Sequence, residues 1–311
     1  NTTASQNVAI GRLALSAQDF TNGNVPYSSY NVAVGSFALE ANNPTSNSDG
    51  RFNVGIGTSS FRSNIIGSDN SELGTNSGYF ALGGYNTYIG SYSGYGVTGT
   101  STAAANSALG SRSLFSVTSG SDNVAIGNTA MYSNTIGANN VAIGAGAAYA
   151  NTTSSFNVAV GVSALRLQSF NNSGAQYNTF NVAVGTYALE ANNPTSNANG
   201  SLNVGIGTSS FRSNIIGTDN SGLGTNSGYY ALGSYNTYIG SYSGFGATGT
   251  NLGVANSTLG SRSLFSVTTG SDNVAIGNTT MYSNTVGSNN VALGAGAAYA
   301  NTAASFNVAV G

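Results

Sequence analysis

The chain repeats a short segment in which apolar residues stand between an asparagine and a glycine. The segment reads NVAIG from Asn123 to Gly127, NVAIG again from Asn140 to Gly144, and NVAVG from Asn157 to Gly161. Side chains on a β-strand alternate between its two faces. The pattern therefore predicts one short, half-buried strand in every repeat, ended by a glycine that allows a turn or a close approach of two backbones.

The residue before the closing glycine, such as Ile126, is aliphatic in every repeat, and Val124 lies on the same face of the strand. The residue between them varies from Ala125 to Glu72 and Tyr88. We therefore expect the aliphatic pair to fill the core and the middle residue to reach solvent or a neighbour. The positions given this structural role in three successive repeats are Asn123, Val124, Ile126, Gly127, Asn140, Ile143, Gly144, Asn157, Val160 and Gly161.

The spacing of the closing glycines shows a second, longer period. From Gly11 to Gly161 the gaps are 24, 22, 17, 16, 20, 17, 17 and 17 residues, and the same eight gaps recur from Gly161 to Gly311. They sum to 150 residues, so the chain divides into blocks 1–150 and 151–300, with 301–311 opening a third. Because the chain begins and stops at the same phase of its repeat, we interpret it as one length of a longer periodic fibre.

These repeats predict an all-β fold, a parallel β-solenoid (β-roll or β-helix) with coils of 16–24 residues and eight coils in each tandem block. We expect two short strands and two turns per coil, with a small residue three positions after glycine. A single coil buries too little apolar surface to offset its backbone entropy, whereas stacked coils share one core. The repeated asparagine is expected to form a hydrogen-bonded ladder between coils. Ligand binding by the ladder is the alternative.

Longer coils place their extra residues at matching points of the two blocks. The insertions are 16–30, 40–52 and 95–105 in the first block, and 166–180, 190–202 and 245–255 in the second. Asn43 with Pro44, and Asn193 with Pro194, mark loops that leave the coil. They are candidate contact loops, since insertions in solenoids tend to lie on one face. Tolerated surface loops are the alternative.

Composition excludes several classes of function. The chain has 7 basic residues, all arginine, 9 acidic residues and a net charge of -2, which is too sparse for a basic nucleic-acid surface. No apolar run is long enough to span a membrane. Because histidine and cysteine are absent, Ser-His and Cys-His catalysis and the preferred zinc ligands are excluded. We therefore expect no enzyme activity, no metal and no cofactor.

The unit N-V-A-I-G-x-x-A-L-x-x-N-T, seen over 123–135 and less fully over 31–43, resembles repeats in the heads of trimeric autotransporter adhesins. It is also similar to units in phage tail fibres and bacterial surface fibres. The resemblance implies a left-handed parallel β-roll and three chains side by side, a lateral trimer.

Three functions follow as hypotheses. The first is a non-enzymatic structural subunit of an extracellular filament that self-associates by axial stacking, with an export signal removed or outside this segment. The second is an adhesin head or tail-fibre shaft that presents loops to a receptor or glycan. The third is an ice-binding solenoid, which requires threonine at one position of every coil, and threonine does not recur in that way.

Overall fold

A computed structural model describes residues 4–18, 25–97, 101–170, 173–246 and 251–311. The chain divides into two compact units, Asn1–Thr153 with Gly174–Gln176, and Ser154–Ser173 with Tyr177–Gly311. Within the described ranges every regular element is a β-strand. Each unit is an all-β parallel solenoid, as the repeat pattern predicts.

Unit 1 contains one parallel sheet of eight three-residue strands, β2-β4-β5-β6-β7-β8-β9-β10, with β1 and β3 paired separately. Successive strands pair without a register shift, so that Ala108, Ala125 and Ala142 lie side by side. The strands are β1 (Ala4–Ser5), β2 (Val8–Ile10), β3 (Tyr27–Ser28), β4 (Val32–Val34), β5 (Val54–Ile56), β6 (Ser71–Leu73), β7 (Thr87–Ile89), β8 (Ser107–Leu109), β9 (Val124–Ile126) and β10 (Val141–Ile143).

Unit 2 repeats this arrangement with nine strands, β12-β14-β15-β16-β17-β18-β19-β20-β21, and a separate β11–β13 pair. Ala275 pairs with Thr258 on one side and Ala292 on the other. The strands are β11 (Ser154–Ser155), β12 (Val158–Val160), β13 (Tyr177–Asn178), β14 (Val182–Val184), β15 (Val204–Ile206), β16 (Ser221–Leu223), β17 (Thr237–Ile239), β18 (Ser257–Leu259), β19 (Val274–Ile276), β20 (Val291–Leu293) and β21 (Val308–Val310).

The predicted orientation of the strands is wrong. In β9 the middle residue Ala125 is 0 % exposed, whereas Ile126 is 38 % exposed and Val124 is half-buried. Ile143 is exposed in the same way, and Val160 is half-buried. The aliphatic pair therefore lies on the outside of the coil and the middle residue lies in the core.

The narrow interior explains this inversion. Each strand faces an arc of the same coil, and the middle strand residue shares the interior with the residue six positions later, as Ala125 does with Met131. In several coils a small strand residue accompanies a large arc residue, as with Gly55 and Phe61. Where the strand residue is large the arc residue is glycine, as with Tyr88, whose ring lies 2.2 Å from the position of a Cβ on Gly94. Other coils are filled by their neighbours: in the coil of β16 both positions are glycine, Gly222 and Gly228, and the rings of Phe211 and Tyr238 from the adjacent coils lie against Gly228. Side chains of neighbouring coils therefore share one closely packed interior.

The prediction of a second strand is also wrong for most coils, because a turn-like arc lies at that place. Positions two and four after the closing glycine have positive φ, 54° at Thr129 and 50° at Met131. This alternation prevents an extended strand. The buried residue between them is small, as predicted, and at Ala130 it is fully buried.

The closing glycines stack on one another and require their lack of a side chain. Gly127 has φ +134°, and a Cβ there would lie 2.6 Å from the carbonyl carbon and oxygen of Gly144 in the next coil. An L-residue is strained at this φ and would also push the two coils apart.

Hydrogen bonds between coils run in both directions along the stack. Gly127 and Thr129 donate through their amides to Leu109 and Ser111 of the preceding coil, at 2.8 and 3.0 Å. Met131 donates in the opposite direction, to Ala147 of the following coil at 2.9 Å. Each coil is therefore held to both neighbours by bonds of opposite sense.

Candidate functional site

The outward residues of the strands form an exposed apolar surface, here termed the outer sheet face. Its first column consists of the first residue of each strand, and its second column of the third residue. In unit 1 the first column is Val8, Val32, Val54, Ser71, Thr87, Ser107, Val124 and Val141, and the second is Ile10, Val34, Ile56, Leu73, Ile89, Leu109, Ile126 and Ile143. None of these sixteen side chains is charged.

The corresponding columns of unit 2 run from β12 to β21 and are equally free of charge. Three of the residues first assigned to the core, Val124, Ile126 and Ile143, lie on the face in unit 1, and Val160 lies on it in unit 2. This uncharged and largely aliphatic surface is a candidate contact surface, since protein monomers rarely expose large contiguous apolar patches.

The repeated asparagine forms the hydrogen-bonded ladder that the repeat predicts. The side-chain oxygen of Asn123 accepts from the backbone amide of Asn140 at 3.0 Å, and its amide donates to Asn106 at 3.1 Å and to the Gly137 carbonyl at 2.9 Å. Asn123 is fully buried. With both polar groups used between coils, this side chain has a structural role and offers no free group to a ligand.

A column of stacked aromatic rings, here termed the aromatic column, runs along the arcs of each unit. Ring centroids of Tyr95, Phe115, Tyr132 and Tyr149 are 5.1, 5.0 and 5.1 Å apart, and adjacent planes differ by 4° or less. Tyr79 extends the column at 5.4 Å. The unit 2 members are Tyr229, Phe245, Phe265, Tyr282 and Tyr299. All stand five residues after a closing glycine, a spacing that is visible in the sequence.

An arginine ends each aromatic column. Arg62 occupies the same position of the preceding coil, donates to the Tyr79 hydroxyl at 3.1 Å and forms an ion pair with Glu40. The hydrogen bond that Arg62 donates to Glu40 is the main cause that raises the pKa of Arg62. In unit 2, Arg212 pairs with Glu190 at 2.6 Å. Because the rings stack face to face, neighbouring rings cover their faces and the edges point outward, so the column stabilises the stack of coils.

Glu72 is a buried carboxyl group in the core of unit 1. It is the middle residue of β6 and is 1 % exposed, and neither of its oxygens has a hydrogen-bond partner among the described residues. Desolvation raises the pKa of Glu72 well above its usual range, and the Ser77 hydroxyl only partly opposes this. The matching residue of unit 2 is Gly222, where the Phe211 ring lies 2.5 Å from the position of a Cβ. An aromatic ring therefore fills the space that the carboxyl group occupies in unit 1.

The predicted contact loops fold back against their coils. Pro44 and Pro194 are buried and pack against Gly50 and Gly200, respectively. Asn43 is exposed, and Asn193 accepts from the Ser169 amide at 2.9 Å. Residues 19–24, 98–100, 171–172 and 247–250 of the other predicted insertions lie outside the described residues.

Across the described ranges no three histidine, cysteine, aspartate or glutamate residues lie together as a metal site would require, and no helix could cross a membrane. The outer sheet face is therefore the surface of the described structure that most strongly indicates a binding role. No protein-family model matches the sequence, and no curated protein is similar enough to it to serve as a relative.

Proposed function

We propose that this chain is a non-enzymatic structural subunit of an extracellular fibre, in which copies associate through the outer sheet face. The observation that supports this is the pair of uncharged columns on each unit, of which the second is aliphatic throughout and the first is interrupted only by serine and threonine. Burying apolar surface contributes about 25 cal/mol per Å². Sixteen outward side chains in unit 1 approach the roughly 20–30 residues per side of a standard protein interface.

A second copy of the chain is the partner that fits this face best. The face is regular at the spacing of parallel strands, about 4.8 Å, and the same face of a second copy repeats its side chains at the same spacing. The low charge of the chain, -2 for 311 residues, leaves little electrostatic repulsion between copies.

The test is to place charge on the face. Ile89→Glu with Ile126→Glu puts two carboxylates at outward, partly exposed positions and is expected to abolish association without unfolding the coil. The matched control is Thr102→Glu with Ser119→Glu, which adds the same charge at exposed positions outside the strands. Analytical ultracentrifugation and negative-stain microscopy measure the outcome. A wild-type chain that sediments as a monomer at high concentration and shows no fibres would refute the proposal.

An adhesin head or tail-fibre shaft is the second candidate, supported by the ordered tips of the contact loops. Thr45 donates to Asp49 at 2.9 Å, and Asn199 donates to Thr195 at 3.1 Å in the matching loop. These internal bonds fix exposed polar side chains in one arrangement, which lowers the entropy cost of binding. Replacing 45–48 and 195–198 with Gly-Ser sequence is expected to remove binding to a glycan-coated surface while association of copies persists. Unchanged binding would exclude the loops as the contact.

A further inference from the structure

The outer sheet face is not uniform, because small residues in its first column stand beside leucines in its second. Serine occupies the first column in four strands, β6, β8, β16 and β18, and each of these strands carries leucine in the second column. The other strands of the two main sheets carry valine or threonine in the first column. Serine is shorter than a β-branched residue, so each Ser-Leu strand combines a depression with a neighbouring projection.

These leucines are more exposed than the isoleucines around them. Leu73, Leu109, Leu223 and Leu259 are 48–50 % exposed, whereas Ile56, Ile89, Ile126 and Ile143 of unit 1 are 37–38 % exposed. In unit 2 the depression at Ser221 is a shallow cavity of about 110 Å³. Its walls are Val204, Ile206, Ser221, Gly222, Leu223, Thr237 and Ile239. An apolar cavity of about 150 Å³ holds a benzene molecule, so this depression, here termed the notch, suits one aliphatic side chain.

The positions of notch and leucine distinguish two ways of placing a second copy on the face. If the copies are related by a two-fold axis parallel to the solenoid axis, the first column of one copy lies opposite the second column of the other. Every leucine then faces a notch at the same level. If the two-fold axis is perpendicular to the solenoid axis, like columns oppose each other, and Leu73 meets leucine while Ser71 meets serine.

We propose that the outer sheet face of each unit pairs with the same unit of a second copy. The solenoid axes of the two paired units are parallel and in register, and each leucine of their Ser-Leu strands enters the notch over the partner copy's serine. This rests on the proposed function and adds the orientation and register of the pair. The interface is isologous, since each strand level contributes a leucine and a notch from both copies. Leucine inserted into a closely fitting notch gains dispersion contacts that serine facing serine cannot supply.

The first test fills the notches. Ser71→Val, Ser107→Val, Ser221→Val and Ser257→Val together make the face more apolar, so a non-specific hydrophobic contact would strengthen. The proposed pair is expected to weaken by about tenfold or more, because valine occupies the space that the partner's leucine needs. The matched control is Thr102→Val with Ser119→Val, which adds apolar surface at exposed positions outside the outer sheet face and is expected to leave association unchanged. Circular dichroism checks that each variant folds.

The second test measures orientation. Since the chain has no cysteine, single variants Thr75→Cys, Ser111→Cys and Ala145→Cys accept one nitroxide label each, at exposed positions beside the second column and two strands apart. A parallel, in-register pair gives the same label-to-label distance at all three sites by pulsed electron paramagnetic resonance. In an antiparallel pair the axial separation of the two labels differs by about 19 Å between at least two of the sites, four strand spacings of about 4.8 Å, so the label-to-label distances are unequal.

The outcomes separate the two proposals. Equal distances, a dimer mass and weakening by the valine set support the pairing. The pairing is overturned by unequal distances, by a trimer mass or by tighter association of the valine set. In these cases the proposed fibre that associates through this face still stands. A chain that stays monomeric overturns both.

Discussion

Replacing Gly277 with alanine is expected to separate two coils of unit 2. Gly277 has φ +135°, and an added Cβ would lie 2.5 Å from the Gly294 carbonyl oxygen and 2.6 Å from the Thr280 hydroxyl. Ordinary contacts begin at 3.4 Å, so the neighbouring coil must move by about 0.9 Å. That movement stretches the hydrogen bond from the Gly294 amide to Ile276, now 2.8 Å, beyond the range in which such bonds hold.

The size of the effect follows from two costs. A non-glycine residue in this region of φ costs about 1–3 kcal/mol, and a buried polar group that loses its partner costs about 1–3 kcal/mol. The free energy of unfolding is therefore expected to fall by about 2–6 kcal/mol. Gly296→Ala is the matched control, since Gly296 has φ +70° and nothing lies within 4 Å of its Cβ position. Thr279 has φ 53° at the equivalent position of the preceding coil, so the control is expected to cost about 1 kcal/mol.

Urea unfolding followed by circular dichroism gives the stability of both variants, and hydrogen exchange of the Gly294 amide reports the local contact. We expect Gly277→Ala to lower the unfolding midpoint and to accelerate exchange at this amide, with Gly296→Ala close to wild type. Equal losses in the two variants, or unchanged exchange in Gly277→Ala, would show that the glycine stack does not set the spacing of the coils.

Three further predictions concern the core and the ladders. Because the pKa of Glu72 is raised in the folded chain, the unfolded chain releases this proton at a lower pH. The free energy of unfolding therefore falls as pH rises above about 4.3, by up to about 1.4 kcal/mol per pH unit, until the folded-state pKa is reached. Glu72→Gln should remove that part of the slope in urea titrations between pH 4 and 8, and an unchanged slope would contradict it. Asn123→Ala is expected to lower the free energy of unfolding by about 2–5 kcal/mol, because buried groups in two neighbouring coils lose their hydrogen-bond partner. The exposed Asn128→Ala is its control, and equal unfolding midpoints would count against the ladder. Tyr132→Ala is expected to lower the free energy of unfolding by about 1–3 kcal/mol, because the ring stacks on two neighbours. Tyr85→Ala, at a ring 71 % exposed, should leave the melting temperature nearly unchanged, and a similar drop in both would refute the stacking contribution.

The repeat pattern was sufficient to predict the fold, because the closing glycine and the buried asparagine have one structural use each. Gly127 meets the backbone of the next coil, and Asn123 bonds to both neighbouring coils, so neither tolerates another residue. Both constraints appear directly as a period in the sequence. The all-β parallel solenoid follows from that period.

The orientation of the strand could not be derived from hydrophobicity alone. Ile126 is more apolar than Ala125, and a rule that buries the larger apolar residue places it inside. The narrow coil instead buries the small Ala125 and the arc residue Met131, both 0 % exposed. In several coils residues six apart have inverse sizes, as in Gly55 with Phe61 and Tyr88 with Gly94, and there this is a sequence signal for the interior.

The inverted orientation of the strands also determines which surface is the candidate site. Once the aliphatic columns are outside, the residues assigned to the core become the candidate contact surface, and the loops at Pro44 and Pro194 become secondary to it. The notches at serine cannot be predicted from the sequence, because a serine near a leucine indicates a depression only when both side chains are known to point outward.

The opposed hydrogen bonds between coils have a consequence for length. In an α-helix the peptide dipoles add along the axis and place partial charges at its ends. Here the amides of Gly127 and Thr129 point one way and that of Met131 points the other, so the dipoles of a coil largely cancel, as they do in sheets. Adding coils therefore adds contacts without building up a field along the axis, and electrostatics sets no upper limit on how many coils can be stacked.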